Sequence, residues 1–422
     1  MAQAYRKREQ QASAERGVSS EVTGIGDRLE QLAREGAERM LAEALELEVA
    51  EFLERLRYKR SQVFRGYRNG YAPERTIGVG LGKLKVQVPR VSDVPAEVAP
   101  EGFRSQLVGR YQRVSQTTQR LLARLYLEGL STGDFEPVFR GILGENAPLS
   151  ATSVTRLKQE WQVEFDAWRK RRLDGHRYLY LWVDGVYLSA GQEEEKTALL
   201  CVLGLGENGD KELLGMVPGY RESTESWADV LRDLRERGLQ RPMVVIGDGA
   251  LGIWAALREV WPETRRQRCW NHRTLNVLNK LPQRLWAEVR KDLREAAQAE
   301  TREACRKRLD GIAAELRKAG QESAAETVLR DVDDFLTFYD FPQEHWLHLR
   351  TTNPIESIFS GVRLRTDVTK HLPNRDNALY LVFKIVERLS QHWRRVGGSN
   401  LCSLVLEGKR FVDGRLVEAA TA

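Results

Sequence analysis

Apolar residues recur at helical spacing from Asp27 to Tyr58, where Leu29, Leu32, Met40, Leu41, Leu45, Leu47, Phe52 and Leu56 stand among charged positions. That period predicts a long amphipathic helix. The turn residues of Gly66–Tyr71 break it, and between Thr76 and Val91 the period drops to two, with Leu84, Val86 and Val88 alternating against Lys83, Lys85 and Gln87. Strands are expected here, turned at Gly80–Gly82, before Pro89, Pro95 and Pro100 mark a linker. Helices are predicted over Ser115–Glu128, over Thr132–Ile142, and from a Ser150 or Ser153 cap to Arg171, with Gly129–Ser131 as a tight turn between the first two. Two short helices about a turn, followed by an Arg- and Lys-rich helix, have the pattern of a helix-turn-helix.

At Arg177 the pattern changes. Tyr178–Val183, Val186–Ala190 and Thr197–Leu205 are continuous apolar runs, read as three meandering strands. A helix over Ser223–Arg237 with Trp227, Val230, Leu231 and Leu234 on one stripe, a strand at Met243–Ile246 and a helix over Ala250–Val260 complete an α/β core with a mixed sheet. Leu281–Phe338 is charged, helical throughout and without a strand candidate, so it reads as an inserted helical subdomain; Pro354–Arg365 and Asn377–Trp393 are helices of the returning core. The resulting division is an N-terminal helix with a basic β region (1–100), a helix-turn-helix-like region (101–175), the first part of the core (176–280), the helical insertion (281–340), and the second part with C-terminal helices (341–422).

Composition narrows the class. The 422 residues include 10 Trp, 12 Tyr and 12 Phe, too many for a disordered chain, and suffice for two or three domains. No apolar stretch approaches the ~18 residues that span a bilayer, and polar Met1–Gly17 offers no secretory signal. Cysteines at 201, 269, 305 and 402 form no disulfide framework and fit a reducing cytoplasm. The net charge of +6 is modest, but its distribution is uneven: ten basic residues face Glu74 alone between Arg55 and Arg90, and Gly102–Leu127 holds five arginines and no acid. Such density attracts polyanions, nucleic acid above all. Arg57, Lys59, Arg60, Arg65, Arg68, Arg75, Lys83 and Lys85 are the candidate phosphate contacts; a solvated basic face is the plain alternative.

Three carboxylates stand out. Asp184 ends the first apolar run, Asp248 follows the Met243–Ile246 strand, and Glu356 opens a helix at Asn353-Pro-Ile-Glu356. Each has a structural explanation: a type I′ turn for Asp184-Gly185, an N-cap for Asp248, and a capping box for Glu356 with Asn353 as N-cap. The order strand-Asp, strand-Asp, helix-Glu behind a basic region points instead to phosphodiester chemistry, since adjacent strand tips ~4.8 Å apart can share metal ions. Two Mg²⁺ ions need only oxygen ligands and together activate a water and stabilise a leaving oxygen.

Tyr180–Val186, Val245–Gly249, Arg268-Cys-Trp-Asn-His272 and Leu349–Glu356 together resemble the mutator-type transposases of bacterial insertion sequences, and the likeness runs from Gly66 to Trp393. It implies an RNase H-like α/β core, with an all-helical insertion between the second and third acidic residues, behind a mainly helical DNA-binding region. Asp184, Asp248 and Glu356 would then be the catalytic, metal-holding triad, loaded with two Mg²⁺ (Mn²⁺ substituting). The implied activity is binding of terminal inverted repeats in double-stranded DNA, strand cleavage, and 3′-OH attack on target DNA, in the cytoplasm, by a homodimer or higher oligomer. A non-catalytic DNA-binding regulator and a stand-alone RNase H-like nuclease are the alternatives.

Cys269 and His272 match the family's Cys-x-x-His element. Only His345-x-x-His348 offers a second pair, so no zinc is expected; Cys269 should be buried at a strand end, with His272 near the active site or on DNA. Arg350, Arg363 and Arg365 flank Glu356 and are further candidate phosphate contacts, Arg363 about two turns along the same helix face.

Overall fold

A computed structural model describes residues 20–54, 63–80, 82–128, 151–188, 197–219, 223–249, 252–368 and 375–417. The chain divides into two units, 1–155 and 156–422.

In the first unit, helix α1 (Ser20–Phe52) is followed by β1 (Tyr67–Tyr71), β2 (Arg75–Val79), β3 (Gly82–Val86) and β4 (Pro89–Ser92). β2 and β3 form an antiparallel hairpin with Val79 opposite Gly82, and β1 pairs antiparallel with β4. Gly82 takes φ 109°, a left-handed conformation that a side chain would strain. The strands pack on α1 through Leu45, Ile77, Leu84, Val86 and Val108. The helix stops short of Tyr58: Leu53 is buried and Glu54 turns left-handed (φ 49°). Its buried stripe is also narrower than the periodicity predicts. Leu45, Val49 and Leu53 are buried, whereas Leu29, Leu32, Met40 and Leu47 are exposed. Helix α2 (Gln116–Glu128) is capped by the Ser115 hydroxyl, which accepts the Thr118 N–H at 3.2 Å. The expected turn at Gly129–Ser131 and helix at Thr132–Ile142 lie outside the described residues, as do Arg57, Lys59 and Arg60. Helix α3 (Ala151–Arg169) starts at the end of this unit and belongs mostly to the second.

The second unit is built on a five-stranded sheet in the order β7-β6-β5-β8-β9. β5 (Tyr178–Leu188), β6 (Thr197–Gly206) and β7 (Lys211–Gly219) form an antiparallel meander; β8 (Val244–Gly247) and β9 (Arg265–Arg268) add to it in parallel. This corrects two expectations. Tyr178–Val183 and the start of the predicted second strand are one continuous strand, and the third strand of the meander is Lys211–Gly219. β9 was invisible to periodicity because Arg-Arg-Gln-Arg has no apolar residue. It is fixed instead by Gln267, fully buried, whose amide bonds the Phe335 carbonyl at 3.1 Å and the Phe338 N–H at 2.8 Å.

Helices α4 (Thr224–Glu236) and α5 (Ile253–Val260) cover one face of the sheet, where Leu181, Val183 and Val245 meet Trp227, Leu231 and Ile253. Each such fully buried side chain contributes about 1.5–3 kcal/mol relative to exposure. Residues of opposite parity on β5 point to the other face, where Tyr180 Oη meets His345 Nδ1 at 2.8 Å and Trp182 Nε1 donates to the His348 carbonyl at 2.9 Å. Between 281 and 338 every regular element is helical, as the sequence predicts: α7 (Trp286–Ala297), α8 (Arg302–Lys318), α9 (Glu322–Leu329) and α10 (Val332–Phe335), after α6 (Trp270–Leu278). Then come α11 (Trp346–Leu349), α12 (Asn353–Val368) and α13 (Arg375–Ser390). No helix among the described residues is long and apolar enough to cross a membrane.

Candidate active site

Strand register brings two of the carboxylates together. Tyr180 stands opposite Val244 and Trp182 opposite Ile246 across the parallel β5–β8 pair. The same offset carries Asp184 opposite Asp248, one strand spacing (~4.8 Å) away and on the same face. With Leu181 and Val183 committed to the α4–α5 core, that face is the one shared by Tyr180 and Trp182. Both carboxylates are half-buried. Asp184 is not a turn residue: it lies within β5, paired with Cys201 of β6, and its Oδ1 accepts the Gly185 N–H at 2.8 Å. Asp248 caps no helix. Gly252 occupies the N-cap of α5, and the Asp248 Oδ1 accepts the Gly249 N–H instead. The strand end is crowded on both sides of Asp248. A Cβ on Gly247 would lie 2.9 Å from Val183 Cγ2, and one on Gly249 would lie 1.5 Å from Arg268 Nη2.

Glu356 arrives from α12, which packs against β5 and β6. The helix is initiated by Thr352, whose carbonyl accepts the N–H groups of Ile355 and Glu356, each at 2.9 Å. The expected capping box is absent, because the Glu356 carboxylate accepts from the Thr352 hydroxyl rather than reaching back to Asn353. Asn353 instead accepts from Asn271 Nδ2 at 2.8 Å, tying the start of α12 to the start of α6.

Cys269 closes β9 and is buried, as expected, with its N–H on the Gly247 carbonyl at 2.9 Å. Its Sγ lies 3.4 Å from the Thr352 backbone N and 3.2 Å from the Thr352 Oγ1. His272, one turn along α6, places Nδ1 3.8 Å from Glu356 Oε1. Ligand atoms of Cys269, His272 and Glu356 all lie within 4.8 Å of one another. The neighbouring Cys269 sulfur foremost, and the charges of Asp248 and Glu356 after it, raise the His272 pKa to about 9 against the opposing effect of burial.

The basic candidates behave differently from one another. Arg350 faces inward. Its Nη1 donates to the Ala297 carbonyl at 2.6 Å and its Nε to the Trp346 carbonyl at 3.2 Å, which ties the helical insertion to the segment before Glu356. Arg363 is exposed on α12, and Arg365 lies on the same helix. In the first unit, Arg65 pairs with Glu54, Arg68 with Glu46 at 2.6 Å, and Arg75 donates to the Gly109 and Arg110 carbonyls. Lys85 is exposed and Lys83 half-buried on β3.

Two participants escaped sequence reasoning: Thr352, fully buried between Cys269 and Glu356, and Arg268, packed against Gly249 and paired with Asp331 of the insertion. The sequence signals for Thr352 are its place before a helix start and within the Leu349–Glu356 segment.

A sequence model described as transposase, Mutator family, matches residues 6–396. The chain is 44% identical over 301 residues to the transposase for insertion sequence element IS6120 of Mycolicibacterium smegmatis, covering 71% of this chain and 93% of that protein. It is 40% identical to the transposase for element IST2 of Acidithiobacillus ferrooxidans (65% and 93% covered) and 31% identical to that for IS406 of Burkholderia multivorans (84% and 89%). The chain belongs to the Mutator family of transposases.

Proposed function

We propose that this transposase binds the terminal inverted repeats of its own insertion sequence and carries out strand cleavage and transfer at a site made by Asp184, Asp248 and Glu356. The observation that carries the reading is the parallel register that sets Asp184 opposite Asp248 on the sheet face that also receives α12. An antiparallel meander extended by parallel strands, with a helical insertion between Asp248 and Glu356, supports an RNase H-like core of the DDE type.

The donor set fits magnesium: three carboxylates offer hard oxygen ligands to one region. Asp184, Asp248 and Glu356 would hold the ions, which supply an activated water and charge neutralisation at the scissile phosphate when bound. The protein's own groups do the positioning. The Thr352 hydroxyl orients Glu356, the Gly185 and Gly249 N–H groups orient the two aspartates, and buried Trp182 seals the floor. The positive ends of α6 and α12, joined through Asn271 and Asn353, favour the anionic phosphate. DNA ends would be held by the basic first unit, and the pairing of two ends implies a homodimer or larger assembly.

Labelled element ends, incubated with the chain and Mg²⁺ (or Mn²⁺), test the reading. The wild-type chain should cut and join. Asp184→Asn, Asp248→Asn and Glu356→Gln should bind the ends but do neither. Cleavage retained in any folded variant removes that residue from the site. Binding without cleavage by the wild-type chain would make it a regulator, and cleavage without joining would make it a nuclease.

A further inference from the structure

Cys-x-x-His alone is half of a metal site. The fold supplies a third ligand by folding α12 onto α6, which sets the Glu356 carboxylate within 4.8 Å of both the Cys269 sulfur and the His272 ring nitrogen. We infer that Cys269, His272 and Glu356 form a binding site for a thiophilic divalent cation such as Zn²⁺ or Co²⁺, distinct from the all-oxygen Mg²⁺ set and sharing Glu356 with it.

The chemistry of the pocket supports this. Sulfur, imidazole nitrogen and carboxylate oxygen are the donors of three-ligand zinc sites, which leave a fourth position to water. His272 Nδ1 is shut off from solvent, without a hydrogen-bond partner among the described residues, and faces Glu356 at 3.8 Å. A metal-bound sulfur is an anion that accepts N–H and O–H bonds. Thr352 turns its backbone N–H to Cys269 at 3.4 Å, and its Oγ1, whose one proton goes to Glu356, lies 3.2 Å from the sulfur. Cys269 also sits at the positive end of α6. Binding would displace the Cys269 thiol proton and the second ring proton of His272 to solvent, and would withdraw Glu356 from magnesium. The consequence is regulatory: micromolar thiophilic metal would hold the transposase inactive, and excess Mg²⁺ would reverse it. That consequence rests on the function proposed above; the site itself does not.

Cobalt makes the site visible. Co²⁺ added to the metal-free full-length chain should give a thiolate-to-cobalt charge-transfer band with intense tetrahedral visible bands, which an all-oxygen site cannot produce. Cys201, Cys305 and Cys402 are buried elsewhere, so Cys201→Ser, Cys305→Ser and Cys402→Ser should keep the band. Cys269→Ser should abolish it, as should Cys269→Ala, which adds no polar atom to a buried position should the serine variant fold poorly. Glu356→Gln should keep the band but weaken Co²⁺ binding at least tenfold. A wild-type chain without the band, or a folded Cys269 variant that retains it, overturns the inference. In Mg²⁺-dependent cleavage of element ends, Zn²⁺ should inhibit, and raising Mg²⁺ should restore the rate. A wild-type chain with the cobalt spectrum but no cleavage under any condition would fail the proposed function and leave this site standing. Zinc without effect on an active chain would remove the sharing of Glu356.

Discussion

Gly249→Ala is the smallest change that tests how the Asp248 strand end is built. The added methyl would sit 1.5 Å from Arg268 Nη2, 2.4 Å from its Cζ and 2.6 Å from its Nε. Ordinary contact between such atoms begins near 3.5 Å, so the guanidinium must move by about 2 Å. It has little freedom to do so: its side chain is only 14% exposed, its Nη1 is paired with Asp331, and it lies over the Phe335 ring at 5.4 Å. Overpacking of this kind costs roughly 1–3 kcal/mol, while replacing glycine returns about 0.4–1 kcal/mol by restricting the unfolded chain. The clash wins, for a net loss of about 1.3 kcal/mol. In a unit the size of 156–422 that lowers the melting temperature by roughly 3–5 °C. The assay is thermal unfolding of four proteins: wild type, Gly249→Ala, Arg268→Ala and the double variant. With Arg268 shortened, the methyl has room, so the cost of Gly249→Ala should vanish or reverse in that background. Cleavage should fall in Gly249→Ala, because the Asp248 carboxylate is oriented by the N–H of the displaced residue. An equal cost of Gly249→Ala with and without Arg268 would refute the reasoning.

Thr352→Val keeps the shape of a fully buried side chain but deletes the hydroxyl on Glu356; metal affinity should fall ~10–100-fold, with Thr352→Ser restoring most of it, read by Mn²⁺ titration. Arg237→Met should cost about 3 kcal/mol in chemical denaturation, because the nearly buried guanidinium satisfies the Arg171 and Leu214 carbonyls at 2.9 and 3.0 Å. Burial foremost lowers the His348 pKa to about 4, so the unfolded chain takes up a proton that the folded one refuses. The His348 contribution to stability should be complete above pH ~6.5 and fade as pH falls to about 4, and His348→Gln should flatten that part of a melting-temperature profile. Binding of residues 1–172 to element ends should weaken with salt. The log–log slope should correspond to fewer phosphates than the ten clustered cations, since Arg65, Arg68 and Arg75 are committed internally, and a flat response would overturn the basic-face reading.

Much of this fold is legible in sequence because burial and period agree. The stripe Trp227–Val230–Leu231–Leu234 gives a helix with those residues buried, and its predicted first residue, Ser223, proves to be the N-cap. The helical character of 281–338 is legible for the same reason. Failures fall where tertiary contacts override local pattern. Asp184-Gly185 has the chemistry of a hairpin turn, yet ladder pairing with Cys201 and Leu200 carries it straight through β5. Arg265–Arg268 has the composition of a loop, yet it is held as a strand by the ladder to β8 and by one buried glutamine. The long N-terminal helix shows a third kind of failure. Its period is correct, but Leu29, Leu32, Met40 and Leu47 fall outside the stripe that β2 and β3 cover.

The acidic residues are legible as strand-end and helix-start positions, whereas the juxtaposition of Asp184 and Asp248 is not. It depends on register, and a shift of one residue between β5 and β8 would turn either Asp184 or Asp248 into the α4–α5 core. What prevents the slip is apolar on one face and polar on the other. Val183 and Val245 are committed to the core, while Trp182 is anchored by its indole N–H to the His348 carbonyl. That bond also fixes the segment leading to Thr352, and through Thr352 both Glu356 and the Cys269 sulfur. A single chain of contacts from Trp182 to Glu356 therefore ties the sheet register to the placement of the third carboxylate. Residues without acidic character, Trp182 and Thr352 among them, therefore set where the three carboxylates of the proposed site stand.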